Sequence, residues 1–168
     1  MRGILAVAFA LGAVACTHYD ADPGEPLPVP ARDTFSPVSA MMEARCGTLD
    51  CHGSPARNMR VYGVYGLRAD GNSVTGTPDT TEADVDATYE SVVSIDPEVL
   101  SAVYAHGDDP SKWIVLANAR GIRAHTGGTR ITTGSAADEC LVAWIMDDDT
   151  AVCSEDEFGP VPRDGETW

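Results

Sequence analysis

The chain carries little positive charge. Lys112 is its single lysine, and 11 lysine and arginine residues stand against 26 aspartate and glutamate residues, which gives a formal net charge of −15 at pH 7. This imbalance argues against binding to nucleic acid or to anionic lipid headgroups, because both are negatively charged. It favours solubility and a basic partner. The acidic residues are concentrated at 79–86 and 147–166, and we interpret both runs as solvated surface.

The sequence also lacks the motifs of common catalytic sites. It contains no glycine-rich phosphate loop and no His-Glu-x-x-His pattern, and Gly134-Ser135 is not set in a nucleophile elbow. The acidic run Asp147–Asp149 lacks the alternating spacing and the central glycine of a calcium loop. These patterns therefore give little support to a hydrolase or to a nucleotide-binding enzyme.

An apolar run lies at the N-terminus. It extends from Ile4 to Ala15, and only Gly12 interrupts it. Such a run is too short to span a bilayer and has the length of a signal-peptide core. The small residues Ala13–Ala15 precede Cys16, which is the pattern that lipoprotein signal peptidase accepts. We predict a signal peptide over residues 1–15 and a lipid on Cys16, which would anchor the chain to a membrane.

The residue after Cys16 bears on the destination of the chain. It is Thr17 rather than aspartate, which favours sorting to the outer membrane. We therefore expect a protein of the cell envelope, lipid-anchored to the outer membrane, with its domain facing the periplasm or the exterior. The alternative is ordinary secretory cleavage nearby, which leaves Cys16 as a free thiol.

The remaining chain divides into a linker, a helical body and a tail. Residues 16–35 are rich in proline and acidic residues and are typical of an extended linker. Residues 36–153 show helical periodicity between loops of moderate length, and strand-like alternation is confined to Val61–Tyr65. Residues 154–168 form an acidic tail that we expect to be loose. Capping and stop signals place the helices at 36–46, 81–93, 96–107, 109–121 and 135–146, which predicts a small all-α domain.

The most informative motif is Cys46–Gly53. Two cysteines, Cys46 and Cys51, stand close together, and His52 follows the second directly. Covalent haem attachment needs this order, because two thiols add to the haem vinyl groups and the adjacent imidazole ligates the iron. The usual spacing is C-x-x-C-H, whereas here four residues separate the cysteines. The alternative is a Cys46–Cys51 disulfide with His52 as a bystander.

A second cysteine pair lies near the C-terminus. Cys140 falls within the last predicted helix and Cys153 just beyond it. Because an exported compartment permits disulfides, we predict that they are bonded and hold the end of the domain against that helix. Closing such a loop stabilises a fold by about 3 kcal/mol. The alternative is a redox-active dithiol.

Three features together resemble one group of proteins. They are the helix that leads into Cys46–Gly53, the loop His125–Gly128, and the final helix that ends in Trp144-Ile145. This combination is similar to single-domain bacterial lipoproteins with a cytochrome-c-like domain. The matching stretches are 45–67, 88–98 and 109–145. The resemblance implies a small cytochrome-c-like helical domain with long loops and one haem c.

Haem iron takes two axial ligands. His52 is the candidate proximal ligand because it adjoins Cys51. We predict His125 as the distal ligand, because its glycine-rich loop permits close approach to a flat macrocycle, with Met59 as the alternative. His18 lies in the linker, and His106 at a helix C-terminus favours a structural role.

Two functions remain open on these residues. The first is electron transfer by one buried haem to a redox partner protein, with Arg57 and Arg60 as residues that bind the haem propionates or as surface charges. If His125 does not reach the iron, the open distal site would instead allow small-ligand binding or peroxide chemistry. The second is a haem-free, disulfide-stapled binding or structural lipoprotein of the cell envelope. A third variant places zinc or copper on His52, His125 and the thiolates.

Overall fold

The computed structural model describes residue 24 and residues 26–71 and 79–153. The predicted signal peptide, the lipidation site at Cys16, His18, much of the linker and the acidic tail lie outside the described residues. Within the described ranges the chain is helical and forms no strand, only an isolated bridge between Tyr62 and Leu67. The all-α prediction is therefore confirmed for this part of the chain. The helices are α1 (Ser36–Cys46), α2 (Glu82–Val93), α3 (Pro97–His106), α4 (Ile114–Ala119) and α5 (Ala136–Ile145), with 3-10 turns at Pro110–Lys112 and Thr150–Val152.

Local signals fix most of the helix ends. Thr81 and Asp84 form a capping box at the start of α2, in which each side chain binds the other residue's main-chain N–H. The Ser135 side chain accepts a hydrogen bond from the Asp138 N–H and starts α5. Gly107 ends α3 with φ 68°, a left-handed conformation that glycine adopts without a steric penalty. At α1 the Ser36-Pro37 pair predicts Ser36 as the N-cap, but Ser36 is already helical and Phe35 occupies that position without a side-chain cap.

The predicted helix over 109–121 is divided in two. The Asp109 carboxylate accepts from the Ser111 N–H and sets a 3-10 turn, after which Trp113 is extended with ψ 126°. The Trp113 side chain is 0% exposed, and its Nε1 donates to the Ile95 carbonyl at 2.8 Å. Burying this indole with its N–H satisfied interrupts the helix, and α4 begins only at Ile114.

A single apolar cluster joins the helices. Its largest fully buried side chains are Trp113, Trp144, Phe35, Met41, Met42 and Leu100. Helix α1 packs against both α2 and α5, and the disulfide between Cys140 and Cys153 holds the last 3-10 turn on α5. This is the pairing that the sequence predicts. Within the described ranges no helix is long and apolar enough to cross a bilayer.

The packed body begins upstream of the predicted boundary at residue 36. Phe35 is 0% exposed, the Trp144 indole donates to the Ala31 carbonyl at 3.1 Å, and the Tyr89 hydroxyl donates to the Pro30 carbonyl at 3.0 Å. The last residues of the predicted linker are therefore part of the domain. Their carbonyls satisfy two aromatic donors that the helices alone leave unpaired.

A buried carboxylate and a buried ion pair hold the loop that follows the cysteine motif. Glu43 of α1 accepts from the Val64 N–H at 2.5 Å and from the Thr80 hydroxyl at 2.6 Å. Arg68 pairs with Asp84 at 2.9 Å, and both side chains are only 2% exposed. Asp84 lies in the acidic run that the sequence predicts to be solvated, and that interpretation is wrong for this residue. Its buried partner comes from a distant loop, which the local charge pattern does not reveal.

Candidate functional site

The cysteine motif forms a closed turn at the end of α1. The Cys51 and Gly53 N–H groups both donate to the Thr48 carbonyl at 2.9 Å, and the His52 N–H donates to the Cys46 carbonyl at 2.9 Å. These bonds return His52 to the helix end from which Cys46 projects. The four-residue spacer therefore closes on itself and keeps both cysteines and His52 together.

Three glycines allow this turn to pack directly on main chain. A Cβ atom on Gly53 would overlap the Gly47 carbonyl oxygen and lie 2.8 Å from the Gly66 Cα. The Gly53 carbonyl in turn accepts from the Leu67 N–H at 2.8 Å. Both atoms that a side chain at Gly53 would meet belong to the backbone and cannot move aside as a flexible side chain could. Only glycine therefore fits at this position.

A cavity of about 630 Å³ opens beside this turn. Its size lies within the range of about 300–1,000 Å³ that is typical of ligand pockets. Cys46, Cys51 and His52 line one part of it, and His125 from the loop after α4 reaches it as well. Much of the remaining lining is apolar: Met42, Met59, Ile95, Ile114, Ile131 and Leu141.

The two cavity histidines face each other as a parallel pair. The ring centroids of His52 and His125 are 5.8 Å apart, and their planes differ by 8°. His52 Nδ1 lies 3.0 Å from the Met59 carbonyl oxygen, and His125 Nδ1 lies 3.4 Å from the Gly128 carbonyl oxygen. Because a carbonyl only accepts, each Nδ1 must carry the proton. In the neutral rings both Nε2 atoms then hold a lone pair, which is the state of a metal-ligating imidazole.

The charge states of the motif side chains follow from burial. Burial lowers the pKa of His52, with smaller contributions from His125 and Arg57, against the opposing hydrogen bond to Met59. The neutral ring, which carries the ligating lone pair, is therefore favoured. Burial is also the largest cause that raises the pKa of Cys46 to about 12, with Cys51 adding to it. Both cysteines are free thiols in this structure and not a disulfide.

The other residues that the sequence predicts for the site differ in whether they line the cavity. Met59 lines it, but its carbonyl is bonded to His52 Nδ1, so its main chain lies on the side of that ring away from Nε2. Arg57 lines the cavity while its guanidinium donates to the Cys51 and Asp50 carbonyls at 3.1 and 3.0 Å. Arg60 and His106 are exposed, and neither lines the cavity.

Two arginines at the cavity were missed by the sequence analysis. Arg45 and Arg130 both line it, and both lower the pKa of Cys46 by their charge, which places them near that sulfur. Arg45 directly precedes Cys46 in α1, a proximity visible in the sequence. Arg130 is brought in by the loop that carries His125, and no local pattern indicates its position.

The donor set distinguishes between kinds of metal centre. Within residues 26–71 and 79–153, no three histidine, cysteine, aspartate or glutamate side chains are grouped so that they could hold a metal ion. The geometry therefore gives no support to zinc or copper on His52, His125 and the thiols. His52 and His125 could supply two ligands to an ion whose other positions are filled by a macrocycle, because haem iron needs only two axial ligands from the protein.

No protein-family model matches the chain, and neither a curated protein nor a solved structure shows significant similarity to it. The side chains of this cavity therefore carry the information about function.

Proposed function

We propose that the protein is a membrane-anchored electron carrier with a cytochrome-c-like domain that binds one haem in the cavity beside Cys46–Gly53. The parallel pair of His52 and His125 is the observation that carries this proposal. His52 and His125 would hold the iron of a bound haem, and their parallel rings, with centroids 5.8 Å apart, leave room for one ion between them.

Each cavity residue has a defined role in this proposal. Cys46 and Cys51 would hold the haem as thioethers, which form when free thiols add to its vinyl groups. His52 as proximal ligand and His125 as distal ligand would hold the iron, and each ring is oriented through its Nδ1. When bound, the haem supplies one-electron redox chemistry. Ligation by two imidazoles favours a lower reduction potential than ligation by histidine and methionine.

The remaining lining supports an anionic, mostly apolar ligand. The apolar side chains of the cavity exclude water from the iron, and Arg45 and Arg130 carry charges that suit the haem propionates, since guanidinium binds carboxylate in a fork. Three of the 11 basic residues of a chain with net charge −15, these two and Arg57, line this one cavity. That concentration favours a ligand with negative groups.

The anchoring part of the proposal rests on the N-terminal sequence. A lipid on Cys16 and the proline-rich linker would tether the domain to the outer membrane within the cell envelope. The tethered haem would then pass single electrons between a membrane-proximal donor and a redox partner protein. The excess of acidic residues favours a partner with a basic docking surface.

The proposal is tested by exporting the chain in a host that has haem-attachment machinery. We expect a Soret band and peroxidase staining that persists on a denaturing gel. The double variant Cys46→Ala/Cys51→Ala should lose the stain. The matched control Cys140→Ala/Cys153→Ala also removes a cysteine pair, but a disulfide away from the cavity, so it should keep the stain.

The alternative function gives a different result in the same experiment. A colourless protein with no free thiols would contradict the haem proposal and identify a haem-free, disulfide-stapled binding or structural lipoprotein. In the coloured protein, His125→Ala and Met59→Leu separate the two candidate distal ligands. We expect only His125→Ala to change the six-coordinate spectrum.

A further inference from the structure

We propose that His125 is the displaceable member of the imidazole pair, so that a small neutral molecule such as carbon monoxide can take its place on the ferrous iron. This inference rests on the proposed haem site. It adds a binding activity for small ligands to electron transfer, and it is argued from the unequal way in which the two histidines are held.

His52 is fixed on several sides. Its own N–H and carbonyl are bonded to Cys46 and Val61 at 2.9 and 2.8 Å, and its Nδ1 is bonded to the Met59 carbonyl at 3.0 Å. The next residue, Gly53, packs main chain on main chain against Gly47. Moving the His52 imidazole out of place would require the whole turn to open.

His125 is held much less firmly. Its Nδ1 contact with Gly128 is longer, at 3.4 Å, and it lies within its own loop, so it ties the ring to no other element. The residues on either side, 121–124 and 126, are exposed. Donor–acceptor distances above about 3.2 Å belong to weak hydrogen bonds. The ring can therefore leave the cavity without breaking a bond to the body of the domain.

The loop is fixed at its base and not at its tip. The Ala119 carbonyl accepts from both the Arg130 and the Ile131 N–H groups, at 2.8 and 3.0 Å. His125 lies between these attachment points beside Gly127 and Gly128, the latter at φ 69°. A loop with a fixed base and two glycines at its tip allows the tip to move while the base stays in place.

The cavity lining selects the kind of ligand. Ile114 and Ile131 line the cavity together with His125, so a molecule that replaces the imidazole enters partly apolar surroundings. The arginines of the same cavity are assigned to the haem carboxylates, whereas a neutral molecule needs no charged partner and loses no ionic hydration on entry. A small neutral diatomic molecule therefore suits the space that the imidazole leaves.

The test mixes the reduced, haem-loaded full-length protein rapidly with carbon monoxide. In the wild type, the observed rate should reach a plateau as carbon monoxide is raised, because release of His125 limits binding. In His125→Ala the rate should rise linearly with concentration. The affinity for carbon monoxide should also rise at least about tenfold, equivalent to roughly 1.4 kcal/mol, because the His125 imidazole no longer competes for the iron.

Gly127→Ala provides a second variant that keeps the imidazole. A Cβ at this position would lie 3.0 Å from His125 Cε1 and 3.3 Å from its Nδ1, so the methyl group presses on the ring. We expect a plateau rate several-fold above that of the wild type. The control Gly134→Ala has nothing within 4 Å of the added Cβ and meets only the backbone strain of its φ of 78°, so it should leave the plateau unchanged.

The outcomes separate this inference from the proposed function. Haem-loaded wild type that forms no carbon monoxide adduct, or that binds it at the same linear rate as His125→Ala, overturns the inference and leaves the haem site standing. A protein that acquires no Soret band overturns both. A plateau rate that rises in Gly127→Ala alone supports displacement of His125.

Discussion

Substituting Gly53 tests whether the candidate haem motif is built on main-chain packing. In Gly53→Ala the new Cβ overlaps the Gly47 carbonyl oxygen and comes within 2.8 Å of the Gly66 Cα. Neither atom belongs to a flexible side chain, so the two segments must separate. The hydrogen bond from the Leu67 N–H to the Gly53 carbonyl, 2.8 Å long, lies at the same place and is strained by that separation.

The expected cost is at the upper end of the range for overpacking. Inserting a methyl group into a close-packed site costs about 1–3 kcal/mol, and we expect about 3 kcal/mol because both obstacles are backbone. With a urea dependence of about 1.5 kcal/mol per molar, the unfolding midpoint falls by roughly 2 M. Urea titrations followed by circular dichroism measure this shift. Since His52 adjoins Gly53, covalent haem in the exported variant should fall as well.

The control for this substitution is Gly107→Ala. Gly107 ends α3 at φ 68° with nothing within 4 Å of an added Cβ, so alanine meets backbone strain alone, which costs about 1–2 kcal/mol. Gly107 does not line the cavity, so haem attachment in the exported variant should match that of the wild type. A Gly53→Ala protein as stable as the wild type, or less affected than Gly107→Ala, would refute the packing argument.

Three further predictions concern the groups that hold the domain together. Removing the Cys140–Cys153 disulfide should lower the free energy of unfolding by about 3 kcal/mol, measured by urea titration, and an unchanged midpoint would contradict the role given to it. Arg68→Met leaves the buried Asp84 carboxylate without its ion-pair partner and should lower the free energy of unfolding by about 3–5 kcal/mol in the same assay. Adding Asp84→Asn to Arg68→Met removes the buried charge and should recover part of this loss. Burial lowers the pKa of His52, so the unfolded chain binds a proton that the folded haem-free chain does not. Stability of the haem-free protein should then decrease as the pH falls from about 6.5 towards the folded pKa, and a flat profile between pH 7.5 and 5.5 would exclude this coupling.

Most helix boundaries could be predicted because their signals are local. Thr81 and Asp84 are three residues apart, Ser135 directly precedes its helix, and Gly107 directly follows one, so each signal acts within a single turn. The break at Trp113 could not be predicted in this way. It depends on an indole that donates to the Ile95 carbonyl, and that contact exists only in the folded domain.

Buried charge was the weakest part of the sequence interpretation. The acidic run that contains Asp84 looks like solvated surface until the partner is known, and Arg68 lies in a separate loop. Likewise Arg120, directly after α4, pairs with Asp138 of α5 at 2.6 Å. A charged residue is buried when a distant partner compensates it, and a single sequence does not identify that partner.

The two axial candidates differ in the same respect, and this difference connects the fold with the proposed behaviour of the site. His52 is bonded to Cys46, Met59 and Val61, all within the segment that carries the motif, so adjacency in the sequence was enough to predict its place. His125 reaches the cavity only because α4 and the core fix Ala119 at the base of its loop, and the ring itself bonds no residue outside that loop. A ligand held by its own turn stays in place when the rest of the domain fluctuates, whereas a ligand delivered by a distant loop depends on the packing at that loop's base. The residue that was harder to place from sequence is therefore also the one that we expect to exchange.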